Sequence, residues 1–278
     1  MYHFSLIPKE LTEIIPYLGY DDLISFNESF NNSFIFKLNY SHIYYYRYNK
    51  YVKVNYKEYK KYLGVESIKN ELPFLSYDIE ELIELKELYI NMKDLNIIPP
   101  GMEELTQLKL LDLSSNKLTS LPDSLMKLTQ LTELDLSYNN LDSLPNTIKE
   151  LKHLSKLILN DNSLTSLTDI IEQLDMLEEL FLNNNQLISL PDSIVKLKQL
   201  KRLNFKNNQL TSIPDNIGDL TNLLQLNIGQ NLLRSLPDSI EKLTRLKNLD
   251  ISHNLLTSLP KSLDKLIKTK IYKSYALK

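Results

Sequence analysis

The chain has 278 residues, of which 42% are hydrophobic and 24% are charged, and its formal net charge is −3. These values are typical of a folded globular protein, and the absence of a basic excess argues against a nucleic-acid binder. The chain contains no cysteine, which excludes disulfides, thiolate metal sites and cysteine nucleophiles, and we expect neither a metal nor another cofactor.

The first residues do not resemble a targeting segment. Residues 1–10 lack a basic start followed by an apolar core, so we do not expect a signal peptide. No stretch approaches the ~20 apolar residues of a membrane span. We therefore expect a protein without a membrane span that acts inside the cell, in the cytoplasm.

Residues 1–79 are predicted to form a small all-α domain. Leu11, Ile14 and Leu18 follow helical spacing, and Leu23 belongs to a second short helix. An aromatic stretch follows, and then a basic helix is predicted around residues 48–63. The mixture of tyrosine and lysine in that helix is typical of packed aromatic and solvated basic side chains.

The opening of this domain places a proline, Glu-Leu and Asp-Leu-Ile-Ser-Phe in order. This pattern resembles the F-box, a family in which the segment docks on the Skp1-type adaptor of a cullin ubiquitin ligase. The resemblance implies these adaptor-docking residues: Ile7, Pro8, Leu11, Ile14, Leu18 and Leu23. In the alternative interpretation, residues 1–80 only cover the open end of the repeats that follow.

A repeat of 23 residues occupies the middle of the chain, in the frame LxxLxLxxNxLxxLP. A fixed period of this size predicts a stack of identical units rather than one closed core. Its most regular member is an asparagine, which recurs at Asn116, Asn139, Asn162, Asn185, Asn208, Asn231 and Asn254. Because the amide both donates and accepts, we expect each asparagine to hold the backbone of its own and the neighbouring turn.

This frame resembles the short, intracellular type of leucine-rich repeat. The resemblance implies an α/β solenoid: a horseshoe of about eight repeats over residues 80–266, with a parallel concave sheet. A degenerate first repeat lies around Lys93, which takes the place of the asparagine. Asp or Asn after Leu-Pro, for example at Asp123, is expected to cap a short helical or 3₁₀ turn on the back of each unit.

The strand residues between the leucines are predicted to form solvent-facing columns on the concave face. Most of them are small or polar, so Tyr89, Tyr138, Ile158 and Phe181 stand out as candidate hot spots. Charged neighbours complete the predicted contact set, which comprises Tyr89, Glu133, Asp135, Tyr138, Lys156, Ile158, Glu179, Phe181 and Arg202. Scattered exposed apolar side chains with no function are the alternative.

Residues 267–278 form a basic tail, in which apolar residues at near-helical spacing predict a cover for the last repeat. Catalysis has little support: His253 shares the concave face with Asp250 and Ser252, but nothing builds a pocket around them. We therefore expect a non-enzymatic module that binds a protein client. The leading hypothesis is a substrate-binding ligase adaptor, and the alternative is a free-standing signalling scaffold, for example in a small-GTPase pathway.

Overall fold

The computed structural model describes residues 35–38, 42–47, 50–77, 79–266 and 269–273. Its first described elements form a three-stranded antiparallel sheet in the order β1-β2-β3, followed by two helices. Their bounds are Ile35–Leu38 for β1, His42–Arg47 for β2, Lys50–Asn55 for β3, Tyr56–Glu71 for α1 and Ile79–Glu84 for α2.

This sheet corrects the prediction of an all-α N-terminal domain. The basic helix predicted around residues 48–63 begins only at Tyr56, and the residues before it belong to β3. The physical reason lies in composition, because the segment before Tyr56 is rich in tyrosine, isoleucine and valine, which favour strands. The domain boundary at residue 80 stays a prediction.

The repeats form one parallel sheet, which has nine strands within the described residues, in sequence order. This confirms the predicted leucine-rich-repeat horseshoe. The strands are β4 (Glu87–Tyr89), β5 (Leu110–Asp112), β6 (Glu133–Asp135), β7 (Lys156–Ile158), β8 (Glu179–Phe181), β9 (Arg202–Asn204), β10 (Gln225–Asn227), β11 (Asn248–Asp250) and β12 (Lys270–Tyr272).

The core consists of leucines stacked from one repeat to the next. The central residue of a strand, such as Leu134 or Leu157, is fully buried, and so are the next two leucines of the frame, such as Leu136 and Leu141. One hydrophobic cluster runs through all the repeats. Because each unit contacts only its neighbours, the stack is stabilised by interfaces between adjacent repeats.

The recurring asparagines join adjacent repeats. Asn139 donates from Nδ2 to the carbonyl oxygens of Leu113 at 3.0 Å and Leu136 at 3.1 Å, and its Oδ1 accepts the N–H of Leu118 at 3.0 Å. The same contacts recur from Asn116 to Asn254. Each amide therefore satisfies backbone groups in its own turn and in the preceding repeat.

The back of each repeat is a 3₁₀ turn, but its aspartate is not the cap. The residue before it, such as Pro122, occupies the cap position and forms no side-chain cap bond. Asp123 instead accepts a hydrogen bond from the Thr147 hydroxyl of the next repeat at 2.6 Å. The turns span Met102–Glu104, Asp123–Lys127, Asn146–Glu150, Asp169–Gln173, Asp192–Lys196, Ile217–Asp219, Asp238–Lys242 and Lys261–Lys265.

Helix α1 closes the first end of the stack. Its buried residues Val65 and Ile68 belong to the same hydrophobic cluster as the repeats. The backbones meet at Gly64 and Gly101: a Cβ on Gly101, whose φ is +91°, would lie 2.0 Å from the carbonyl oxygen of Gly64. Only glycine permits that approach at that φ.

Strand β12 lies at the other end and adds a ninth strand to the eight expected from the repeats. Ile271 is in register with Leu249 of β11, so the tail extends the sheet instead of following its near-helical spacing. Ile271 is partly buried against the core. Among the described helices, none is long and apolar enough to cross a membrane.

A candidate protein-binding face

The predicted contact residues of the strands share one face of the sheet. Each strand buries its central leucine and turns its first and third residues outward. Adjacent strands pair in the same register, so these residues align in two columns. One column contains Glu133, Lys156, Glu179 and Arg202, and the other contains Tyr89, Asp135, Ile158 and Phe181.

The four charged residues of the first column form two ion pairs. Lys156 Nζ lies 2.6 Å from Glu133 Oε1, and both side chains are about one-third exposed. Arg202 pairs with Glu179 in the same way. Opposite charges on neighbouring strands therefore neutralise one another, and this part of the face has no local excess of charge.

Most residues of the second column close the turn that follows the strand. Asp135 Oδ1 accepts the backbone N–H of Ser137 at 2.8 Å and its hydroxyl at 2.6 Å. Side chains at the same position do likewise, namely Asp112, Asn204, Asn227 and Asp250. Asp135, predicted as a contact residue, thus has a structural role that its Asp-x-Ser spacing could have indicated.

Ile158 and Phe181 occupy this position without an acceptor oxygen. They are direct cross-strand neighbours on β7 and β8 and are half-buried. Two adjacent repeats therefore replace the side chain that closes the turn with a large apolar one. A departure from a local rule that the other repeats follow makes these two residues candidates for a functional role.

Tyr138 lies just past β6 in a left-handed backbone conformation. Its φ is +55°, as at the equivalent residue of every other repeat, including Ser115, Asp161 and Asn184. Asparagine and aspartate tolerate this region better than bulky residues do. The tyrosine ring is nevertheless retained there with 60% of its surface exposed.

Tyr89 stands apart from these three residues, on the first strand of the sheet. Its hydroxyl donates to Glu87 Oε2 at 3.0 Å. That hydrogen bond, followed by desolvation and the charge of Glu87, raises the pKa of Tyr89 above its ordinary value. We therefore define the anchor patch as Tyr138, Ile158 and Phe181 only.

Asparagine side chains that the contact prediction omits line the edge of the anchor patch. Asn183 Oδ1 accepts from Asn204 Nδ2 at 3.1 Å, and Asn160 Oδ1 accepts the N–H of Asn183 at 3.1 Å. A second row links Asp161, Asn184 and Asn207. The surroundings of the anchor patch are thus rich in amides.

The remaining predicted residues are placed as follows. Ser252 donates its hydroxyl to Asp250 Oδ1 at 2.6 Å, so that hydroxyl is engaged by the carboxylate. Among the described residues, no group of three or more histidine, aspartate or glutamate side chains is arranged to hold a metal ion. The predicted adaptor-docking residues, from Ile7 to Leu23, lie outside the described residues.

Family models match most of the repeat region. A leucine-rich repeat model matches residues 83–141, and a leucine-rich repeat region model matches residues 146–266. Together with the fold, these matches show that the chain belongs to the leucine-rich-repeat proteins, which are protein-interaction modules. The comparison with curated proteins gives no significant match.

Solved structures share the solenoid. A leucine-rich-repeat protein of Leptospira interrogans is 32% identical, with a TM-score of 0.60 over 72% of this chain and 58% of its own. A TDR receptor is 31% identical, with a TM-score of 0.63 over 69% of this chain and 35% of its own. The plant peptide hormone receptor RGFR1, solved in complex with RGF2, is 30% identical, with a TM-score of 0.63 over 69% of this chain and 32% of its own. The chain thus spans less than two thirds of each.

Proposed function

We propose that this chain is a non-enzymatic binding module that holds a protein or peptide client on its concave face, anchored on Tyr138, Ile158 and Phe181. One observation carries the proposal: Ile158 and Phe181 depart from the chemistry that most other repeats use at the same position. Ile158 and Phe181 replace turn-closing aspartates and asparagines, and Tyr138 places a bulky ring in a left-handed conformation.

Two of these features have a cost in stability: Ile158 lacks the acceptor oxygen and Tyr138 is left-handed, whereas at Phe181 the N–H of Asn183 is bound by Asn160 Oδ1 instead. A hydrogen bond to a backbone N–H contributes about 0.5–1.5 kcal/mol, and a left-handed non-glycine residue costs about 1–2 kcal/mol. Residues that lower stability are retained where they serve binding. Exposed aromatic and aliphatic groups in one patch are also the usual anchors of protein interfaces.

A peptide ligand in a similar solenoid supports the kind of client. RGFR1 was solved bound to RGF2, which is a statement about that receptor. We extend it to this chain as a proposal because the surroundings of the anchor patch are amide-rich. Amide side chains can pair with the backbone of an extended segment.

Site-specific photo-crosslinking in the native cells tests this function. A crosslinking residue at Phe181 is compared with one at Lys149, which is exposed on the 3₁₀ side. We expect a client to be crosslinked from position 181 only. When Tyr138→Asn is combined with the crosslinking residue at position 181, we expect the crosslinked product to disappear. Equal products from both positions would contradict the concave face as the binding surface.

We further propose that the client is delivered to a cullin-type ubiquitin ligase, inside the cell, through the F-box-like segment. Pulldown with a purified Skp1-type protein tests this role. The wild-type chain is expected to bind, and Leu11→Asp/Leu18→Asp is expected not to bind. Failure of the wild type to bind would exclude the adaptor role and leave the interaction module intact.

A signalling scaffold, for example in a small-GTPase pathway, is the second candidate. It is favoured by the packing of α1, since Val65 and Ile68 of the helix and Leu72 just after it join the repeat core. This helix therefore packs on the end of the stack, where a cap would lie. A chain that binds its client but no Skp1-type protein would support this alternative.

A further inference from the structure

Charged residues on the concave face are ordered along the solenoid. On β4, β5 and β6, the outward positions carry four carboxylates and no basic side chain: Glu87, Asp112, Glu133 and Asp135. Glu133 is paired with Lys156 of the next strand. The remaining three carboxylates outnumber the two lysines that precede β4 and β5, Lys86 and Lys109, so the first third of the face is weakly acidic, although Asp112 and Asp135 also hold their turns.

The opposite end of the face is basic. Lys206 follows β9, Lys247 precedes β11 and Lys270 begins β12. Among the described residues, no carboxylate lies within 4.0 Å of any of the three amino groups. On β9 to β12 the outward positions include one carboxylate, Asp250, which is bound by Ser252.

The anchor patch lies between these two regions. Its charged neighbours are Asp135, which is opposite Ile158 on the adjacent strand, Asp161, and the ion pairs Glu133–Lys156 and Glu179–Arg202, which cancel. The face therefore runs from acidic, through an apolar patch, to basic. Complementary potentials across an interface fix the orientation and register of a partner more than they add affinity.

We propose that the client segment is extended and carries the opposite order: basic residues over β4–β6, an apolar anchor over β7–β8 and acidic residues over β9–β12. This inference rests on the proposed function, which supplies the anchor patch. Strands lie about 4.8 Å apart, so β12 is about 20 Å from the anchor patch. An extended chain advances about 3.3 Å per residue, which places the farthest acidic residue about six positions from the anchor.

Two fluorescent peptides of about 14 residues test the inference. Both contain the same central Leu-Phe-Leu, the same lysines and the same glutamates. One peptide has lysines on one side and glutamates on the other, and its matched partner has the charges alternating. Each peptide is also made with the reversed sequence, because the structure does not fix the chain direction, and binding is followed by anisotropy at low and physiological ionic strength.

The segregated peptide is expected to bind about tenfold more tightly than the alternating one in one chain direction, since an exposed ion pair contributes up to about fivefold. This preference should shrink as salt rises. Lys206→Glu/Lys270→Glu should abolish it. The matched reversal Lys127→Glu/Lys149→Glu, at exposed positions of 3₁₀ turns, should leave it unchanged.

The outcomes distinguish failure of the charge order from failure of the proposed function. Equal binding of both peptides, or binding of neither, would overturn the charge order. If equal binding still required Phe181, the anchor patch would stand and only the charge order would fail. Binding that is insensitive to Phe181→Asn would instead count against the proposed function. Preference for an all-glutamate peptide, RNA or anionic vesicles over the segregated peptide would also overturn the inference.

Discussion

At the scale of single residues, the same position in successive repeats shows what each side chain does. Aspartate or asparagine at the third strand residue closes a turn in five described repeats. Ile158 and Phe181 cannot do so. Comparison of equivalent positions therefore distinguishes residues that close a turn from residues that do not, and the latter are the proposed contact residues.

Asparagine, which other repeats carry at the positions of Tyr138 and Ile158, should stabilise the fold and weaken the proposed binding. In the double variant Tyr138→Asn/Ile158→Asn, the change at Tyr138 relieves the left-handed strain, and the change at Ile158 supplies an acceptor for the N–H of Asn160. We expect the free energy of unfolding in urea to rise by about 1 kcal/mol. Client crosslinking from position 181 should fall at the same time.

The reverse substitution is the control. Asn204→Ile removes the acceptor for the N–H of Lys206, which now lies at 3.0 Å, and should lower the free energy of unfolding by about 1 kcal/mol. A destabilised Tyr138→Asn/Ile158→Asn variant would mean that these residues are structural and that the anchor patch is misassigned.

The buried asparagines should behave in the opposite way from the anchor patch. Asn162→Leu leaves the N–H of Leu141 without its acceptor, whereas the carbonyl oxygens of Leu136 and Leu159 keep the hydrogen bonds from Asn139 and Asn185. A buried group without a partner costs about 1–3 kcal/mol, so the variant should lose about that amount in urea unfolding. Asn254→Leu should lose less, because Asn254 is only half-buried. Equal losses would show that the depth of burial does not set the cost.

At the scale of elements, the contact between α1 and the first repeat depends on two glycines with unequal roles. Gly101→Ala places a Cβ 2.0 Å from the Gly64 carbonyl oxygen at a φ of +91°. We expect a loss of more than about 2 kcal/mol in the free energy of unfolding. Gly64→Ala meets mainly the flexible Glu104 side chain at 2.7 Å, so its loss should be smaller. Equal effects would indicate that the backbones do not pack this closely.

Strand β12 provides a second test at this scale. Ile271→Asp would direct a charge toward the core beside Leu249, whereas Tyr272→Asp changes an outward, exposed residue of the same strand. The first should lower the free energy of unfolding by about 2 kcal/mol and the second by less than about 0.5 kcal/mol. Urea denaturation distinguishes them, and similar losses would place Ile271 outside the core.

The elements also show what the sequence can predict. The repeat frame predicts eight strands and the role of the asparagines, because each position of the frame has the same neighbours in every repeat. Residues 35–55 have no such repetition, and their strand content depends on pairing between β1, β2 and β3, which composition only weakly indicates. The ion pairs Glu133–Lys156 and Glu179–Arg202 were also missed, since they need the register between adjacent strands.

At the scale of the whole molecule, stability is distributed as a sum of similar interfaces. The N–H groups of Leu141, Leu164 and Leu187 are each bound by an asparagine in the middle of the stack. Hydrogen exchange should be slowest for these amides and faster for Leu233, whose partner Asn254 is half-buried. Uniform exchange rates from Leu118 to Leu233 would instead indicate a single cooperative unit.

The constant register of β4 to β12 has a consequence for how such a surface can change with time. Duplication or loss of one 23-residue unit between Phe181 and Lys270 would move the basic end by one strand spacing, about 4.8 Å. Every junction inside the stack would keep its hydrogen bonds, because each repeat meets only an equivalent neighbour. If the proposed binding mode holds, unequal recombination can therefore change the length of the contact surface in steps of one to two client residues, while Tyr138, Ile158 and Phe181 stay unchanged.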